Sequence, residues 1–297
     1  MAVFKKKTTL VHHITYMGIM TAINLIFIVL ATYVPFLMFI LILLLPFVSA
    51  IVSYYCQKRY YIIYAVASIG LCFIFNISDT IFYVVPAIIT GFMIGVLLEK
   101  KINPFWLILS STIIESALTF AFIPLINLIS NVDIVYTFLA LFKLNEFAYK
   151  TEITYLFIYA LSLIQCTLTH FVLLSDAKKI GIDINNEVSS YFPYIMGIEL
   201  AMILCLAFGF FYVPLALIFL AISLYFAVFL LVCLILSKKT VVYVLLGVLL
   251  LACFFTFAFL YATIKQPLGL LILIVFPLAV SITSFINYYL LKANNNT

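Results

Sequence analysis

With 297 residues, 68% of them hydrophobic and only 8% charged, and a mean hydropathy of +1.34, the chain cannot be a soluble globular domain. Soluble cores are built from amphipathic elements, whereas here apolar runs of about twenty residues follow one another almost without a break. The net charge of +5 sits in short loops, with no basic stripe interleaved with aromatics of the kind that binds nucleic acid.

Read in chain order, the sequence predicts an all-α transmembrane bundle of ten spans, at 14–34, 36–56, 60–76, 80–98, 104–130, 154–175, 192–213, 214–236, 240–262 and 267–291. The first follows Lys5, Lys6 and Lys7 and is too long for the apolar core of a signal peptide; Ala31-Thr32-Tyr33-Val34-Pro35 is not a small-residue cleavage site, so the span is expected to stay in the chain. Spans seven and eight are separable only by a tight turn at Tyr212-Val213-Pro214, where proline suits the first turn of a new helix. Between spans five and six, Asn131 to Thr154 places Ile134, Phe138, Leu141, Phe142 and Leu144 among Asp133, Lys143, Glu146 and Lys150, which predicts a short helix on the outer membrane surface, either a lid or an interfacial anchor. The loop from Asp176 to Tyr191, with Asp183, Asn185, Asn186 and Glu187, reads as solvated.

Charge placement tests this count. With the N-terminus inside, Lys5, Lys6, Lys7, Lys58, Arg59, Lys100, Lys101, Lys178, Lys179, Lys238, Lys239 and Lys292 are cytoplasmic, and Lys143, Lys150 and Lys265 fall outside. That asymmetry follows the positive-inside rule and places both termini in the cytoplasm.

The chain also matches itself. At an offset of 179 residues, Met17, Gly18, Ile19, Ala22, Leu25, Tyr33, Val34, Pro35 and Leu41 fall on Met196, Gly197, Ile198, Ala201, Leu204, Tyr212, Val213, Pro214 and Leu220, 9 identities in 25 positions. Tyr64, Leu71 and Phe75 continue onto Tyr243, Leu250 and Phe254; after a shift of twelve, Val84 and Pro86 meet Val275 and Pro277, and Lys101 meets Lys292. The expected organisation is a four-span repeat over 1–103, a central two-span hairpin over 104–191 and a second four-span repeat over 192–297. Both copies start on the same side, so the repeat is parallel.

Intramembrane acids are functional candidates because a lone carboxylate in hydrocarbon is costly. Glu115 lies eleven residues into span five, roughly 16 Å deep, and Glu199 about eight residues into span seven, roughly 12 Å deep, at 1.5 Å per residue. Gln165 counts to the level of Glu115, with His170 about a turn and a half nearer the cytoplasm, so the four are expected to converge if spans five, six and seven pack together. Each has a plainer reading: Glu115 as a protonated hydrogen-bond donor beside Ser110, Ser111, Thr112 and Ser116, and His170 as a structural donor. With no deep lysine or arginine, the acids suit a proton, a cation or a cationic ligand. Gly18 and Ala22, repeated as Gly197 and Ala201, form small-residue faces for helix packing or partner docking, with Glu199 inside the second pair where the first copy has Met20. Prolines 46, 86, 124 and 277 should kink their spans, and Asn24, Asn76 and Asp79 are further polar candidates.

No HExxH, GxSxG, Walker lysine or Asp-rich phosphate motif occurs, so no catalytic residues are assigned and an enzyme is not expected. Three histidines, at 12, 13 and 170, are too few for a histidine metal cage, and the six cysteines lack CxxC spacing. No metal and no cofactor are expected. Lysine outnumbers arginine fourteen to one, and Ile, Phe, Tyr and Asn are abundant, which suggests an AT-rich bacterial genome.

The basic N-terminus, Gly18-x-x-x-Ala22, the Tyr33-Val34-Pro35 corner, Pro46 and the Pro86 helix ending at Glu99-Lys100-Lys101 resemble the YybS-like family of bacterial polytopic membrane proteins of unknown function. That family is similar in turn to the substrate-capture (S) subunits of energy-coupling-factor vitamin transporters. The resemblance implies that Gly18 and Ala22 would dock a separate coupling subunit, with ATPases as further chains. The sequence departs from those subunits in having about four extra spans and a very short first outer loop. The leading expectation is a bacterial cell-membrane protein of transporter type that binds or translocates a small molecule. The alternative is a non-transporting scaffold or assembly factor for cell-envelope machinery.

Overall fold

A computed structural model describes residues 6–141, 148–180, 191–236, 247 and 269–294. Within them the chain forms α1 (Leu10–Tyr33), α2 (Pro35–Tyr55), α3 (Lys58–Phe75), α4 (Ile77–Glu99), α5 (Pro104–Ser130), α6 (Ile134–Leu141), α7 (Lys150–Ile180), α8 (Phe192–Gly209), α9 (Val213–Leu236) and α10 (Gly269–Asn294), and no strand. Seven of these, all but α2, α6 and α10, are long and apolar enough to cross a membrane among the described residues; α2 and α10 hold the shorter apolar stretches Leu44–Tyr55 and Val275–Tyr288. Large apolar side chains such as Ile62, Val66, Ile74 and Leu128 are exposed, a surface that water would penalise and lipid would not. The helices are compatible with an integral membrane protein. The predicted span at 240–262 lies outside the described residues, Gly247 apart.

The helix boundaries have local causes. Thr9 caps α1 by accepting from the His12 N–H at 3.4 Å. Val34 alone separates α1 from α2, whose first residue, Pro35, has no N–H to leave unbonded. The expected corner near Pro214 is present too: α8 ends at Gly209 and α9 starts at Val213. Asn103 caps α5 through the Phe105 N–H at 2.9 Å, and Asn131, at φ 53°, ends it in the left-handed region that asparagine tolerates. The Ile134 N–H then reaches back to Asn127 Oδ1 at 3.1 Å and starts α6.

Helix α4 begins earlier than the sequence predicts. Asn76 accepts from the Asp79 N–H at 3.0 Å and caps Ile77, after which Thr80–Val84 form a π-helical turn closed by the Val85 N–H on Thr80 O. This wide turn stands immediately before Pro86, whose ring and missing N–H interrupt an ordinary α ladder.

The chain forms two compact units, Met1–Ile134 with Leu161–Glu187, and Val135–Ala160 with Val188–Thr297. In the first, α1 packs on α2 and α3, α2 on α4, and α4 on α5. The tightest approach is between α2 and α4, where Gly91 and Gly95 face Pro46, Ala50 and Ser53. A Cβ on Gly91 would stand 2.6 Å from Pro46 O and 2.9 Å from Ala50 N, so the contact exists only because both residues are glycine. In the second unit, α9 packs on α8 and α10, and α8 on α10. Tyr194 meets Phe229 with ring centroids 4.9 Å apart, and Phe208 stacks on Phe219 at 5.5 Å.

The short helix expected between spans five and six is α6, with Leu139 buried in the second unit against Ile153, Val135, Phe157 and Leu217. It is anchored to protein as well as amphipathic. Phe142, Lys143, Leu144 and Glu146 lie outside the described residues, as do Asp183, Asn185, Asn186 and Glu187.

Candidate functional site

Glu115 occupies the middle of α5 and is 2% exposed. A proline-started helix that carries Leu107, Ile108, Ser111, Thr112 and Glu115 on its buried side brings that carboxyl inward at a three- and four-residue spacing. Cys166, on α7, donates its thiol to Glu115 Oε2 at 3.1 Å. Thr90 on α4 lies beside the same carboxyl, and Ser111 and Thr112 lie beside the thiol. Among the described residues no lysine or arginine pairs with Glu115; both ion pairs of the first unit's basic end go to Glu99.

His170 is one helical turn beyond Cys166 and fully buried, with neither ring nitrogen hydrogen-bonded. Glu115 and His170 therefore both lie in the first unit, as does Gln165, which is half-buried and makes contacts of its own. The site gathers a carboxyl, a thiol and several hydroxyls inside an apolar bundle, with the imidazole one helical turn away, a set able to hold a proton or a small cation.

Glu199 belongs to the second unit. It is half-buried on α8, and Ser281 of α10 donates to its Oε1. Nearby on α10, Ser284 Oγ and Asn287 Oδ1 are buried without a partner.

The small-residue pairs differ from each other. A Cβ on Gly197 would stand 3.1 Å from the Phe226 ring, and Ala201 is buried, so this pair packs inside its own unit. A Cβ on Gly18 would meet nothing within 4 Å, and Ala22 is exposed. Both line an open apolar groove of about 300 Å³ between α1 and α3, with Met17, Thr21, Ile63 and Ala67.

Beneath that groove lies a polar network that the sequence did not disclose. Tyr64 is 0% exposed; Asn24 Nδ2 donates to its hydroxyl at 2.6 Å, and Ser49 Oγ shares a hydrogen bond with it at 3.0 Å. Thr21 and Ser68 hydroxyls meet at 3.2 Å, and the Tyr61 hydroxyl donates to Ile88 O at 2.6 Å. Asn24 is thus a hub joining α1 to α3 and, through Tyr64, to α2, while its Oδ1 has no partner. Asn76 and Asp79 bond each other at 2.7 Å at the start of α4.

Two signals in the sequence could have found more. Cys166 stands four residues before His170, on one helical face, and Gly91-x-x-x-Gly95 is a stronger close-packing pattern than Gly18-x-x-x-Ala22. Tyr64 stood out in the sequence only as a repeat match to Tyr243, with nothing to mark it as the centre of a polar network. Among the described residues no three His, Cys, Asp or Glu side chains come together as a metal site. No family model, no curated protein and no solved structure matches the chain.

Proposed function

We propose that the chain is a transport-type membrane protein that binds or translocates a small molecule, with Glu115 carrying the proton or cation that accompanies it. The observation that supports this reading is the environment of Glu115: a mid-helix carboxyl, 2% exposed, offered a thiol by Cys166 and no basic partner among the described residues. A structural carboxyl gains little from such a place, whereas a carrier needs a group whose charge is compensated by its cargo. Glu199, with Ser281, is the corresponding acid of the second unit, and Gln165 and His170 are ligand or relay groups.

Ten spans, a parallel repeat and cytoplasmic termini belong to the same proposal. The Tyr-Val-Pro corners that start α2 and α9 support the repeat, and the gathering of Lys6, Lys7, Lys58, Arg59, Lys100 and Lys101 at one end of the first unit supports the orientation. A bacterial cell membrane and a YybS-like ancestry complete it.

A second reading, a non-transporting scaffold or assembly factor for cell-envelope machinery, is favoured by the open Gly18 and Ala22 face on α1, which offers a partner a surface to dock on. The deciding experiment is purification in native lipid discs followed by mass spectrometry of everything retained. A stoichiometric small molecule that disappears in Glu115→Gln, with membrane abundance unchanged, is the expected result. Only cell-wall or division proteins, with no small molecule, would replace transport by the scaffold.

A further inference from the structure

A different feature of the first unit faces outward from its basic end. The segment before α1, the α2–α3 turn and the end of α4 form a pocket of about 380 Å³ lined, among the described residues, by Lys6, Lys7, Lys58 and Arg59 and by one carboxylate, Glu99. We propose that this pocket binds a phosphate-bearing anion, supplied either as a phospholipid headgroup or as a soluble phosphate compound.

Three observations support a built site over a merely solvated basic face. First, the cations arrive from separate segments and are held in place. The Lys7 N–H donates to Tyr55 O at 3.0 Å and ties the N-terminal segment to the α2–α3 turn. Lys6 lies 5.5 Å from the Tyr54 ring centroid, Lys7 4.4 Å from that of Tyr16, and Arg59 4.5 Å from that of Tyr60. Second, charge is unbalanced among the described residues: Glu99 takes both Lys6, at 2.5 Å, and Lys58, at 3.0 Å, and Arg59 adds a third cation beside this acid. Like charges gathered in a concave space repel unless an anion joins them. Third, Arg59 is fixed by one edge, Nε to Gln57 Oε1 at 2.8 Å, which leaves its two amino groups to act as a bidentate fork. Donors converging from several directions suit a tetrahedral phosphate, which can accept from more sides than a planar carboxylate. The volume is sufficient for a phosphate ester and falls within the usual range of ligand pockets.

This site is independent of Glu115 and of the transport reading. Its test uses the full chain, stripped of lipid and offered an equimolar mixture of phosphatidylglycerol and phosphatidylcholine, with retained lipid counted by native mass spectrometry. In parallel, thermal unfolding is followed in phosphatidylcholine discs with and without inorganic phosphate at constant ionic strength. Selective retention of phosphatidylglycerol identifies a lipid headgroup; stabilisation by inorganic phosphate identifies a soluble source. In either arm Arg59→Gln should weaken binding about tenfold, in line with the loss of one charge-assisted bidentate contact. Lys150→Gln, an equal charge change at an exposed residue of the second unit, should leave it unaltered. Glu99→Gln should strengthen it, because Lys6 and Lys58 are then released to the anion; a folding defect would act in the opposite direction. Binding of neither probe, equal loss in Arg59→Gln and Lys150→Gln, or weakening by Glu99→Gln overturns the proposal.

Discussion

The Cys166 thiol reaches the Glu115 carboxyl at 3.1 Å, and this one contact ties α7 to the acid in the middle of α5. Sulfur is a weak donor, so the pair holds position without strongly fixing charge. Cys166→Ser keeps a donor and should cost little, whereas Cys166→Val leaves a buried carboxyl without it. A loss of about 1–3 kcal/mol is expected for the valine variant alone. Thermal unfolding in detergent checks this, and equal midpoints for both variants would remove the contact from the argument.

Close packing of α2 on α4 makes Gly91 and Gly95 intolerant of any side chain. Gly95 would bring a Cβ to 2.7 Å from Ala50 O, backbone that cannot rotate away. Gly91→Leu or Gly95→Leu should destabilise by at least about 1–3 kcal/mol, the usual cost of overpacking. Gly18→Leu, where a side chain meets open space, should fold normally. Yields of monodisperse protein on size exclusion separate the two cases.

Tyr64 joins three helices through its hydroxyl. Removing it in Tyr64→Phe strands the Asn24 amide, and Asn24→Ala removes the same bond from the other side. Each should cost about 1–3 kcal/mol, and the double variant should cost clearly less than the sum because the two share one interaction. Additive losses in a double-mutant cycle would show the bond to be inert.

Cys56 sits in the turn between α2 and α3, beyond the end of either helix, and burial pushes its thiol up to about 11, with nearby Lys7 acting the other way. A raised value means the neutral thiol persists to higher pH, and only the thiolate is alkylated. Iodoacetamide labelling of Cys56 should therefore remain slow from pH 7 to 9 and accelerate only above about pH 10, as peptide mapping would reveal. Rapid labelling at pH 8 would contradict this environment.

Helix positions were legible because proline and asparagine punctuate them: Pro35, Pro104 and Pro214 stand in first turns, and Asn131 closes α5 in a conformation few residues accept. The π turn before Pro86 was not legible, since a proline announces an interruption without saying how the ladder accommodates it. For the site, depth counting along α5 brought out Glu115 because hydrocarbon makes any acid conspicuous. Its partner escaped notice because a cysteine in a membrane helix looks like a small apolar filler until its neighbour across the interface is known. Gly18 was conspicuous because a small residue on a helix surface predicts close approach, without saying whether the approaching helix belongs to this chain.

The union of α2 and α4 also carries a timetable. Ser53 Oγ donates to Phe92 O at 2.9 Å, a partner synthesised 39 residues after it, with the whole of α3 emerging in between. Ser53 therefore gains this partner only once α4 has been made, whereas Ser49 meets Tyr64 on the earlier-made α3. Gly91 and Gly95 then allow the last of the four helices to close against a pair already assembled. The order of synthesis thus offers α2 its partners one after another, and a chain cut after α3 would leave Ser53 without the Phe92 carbonyl.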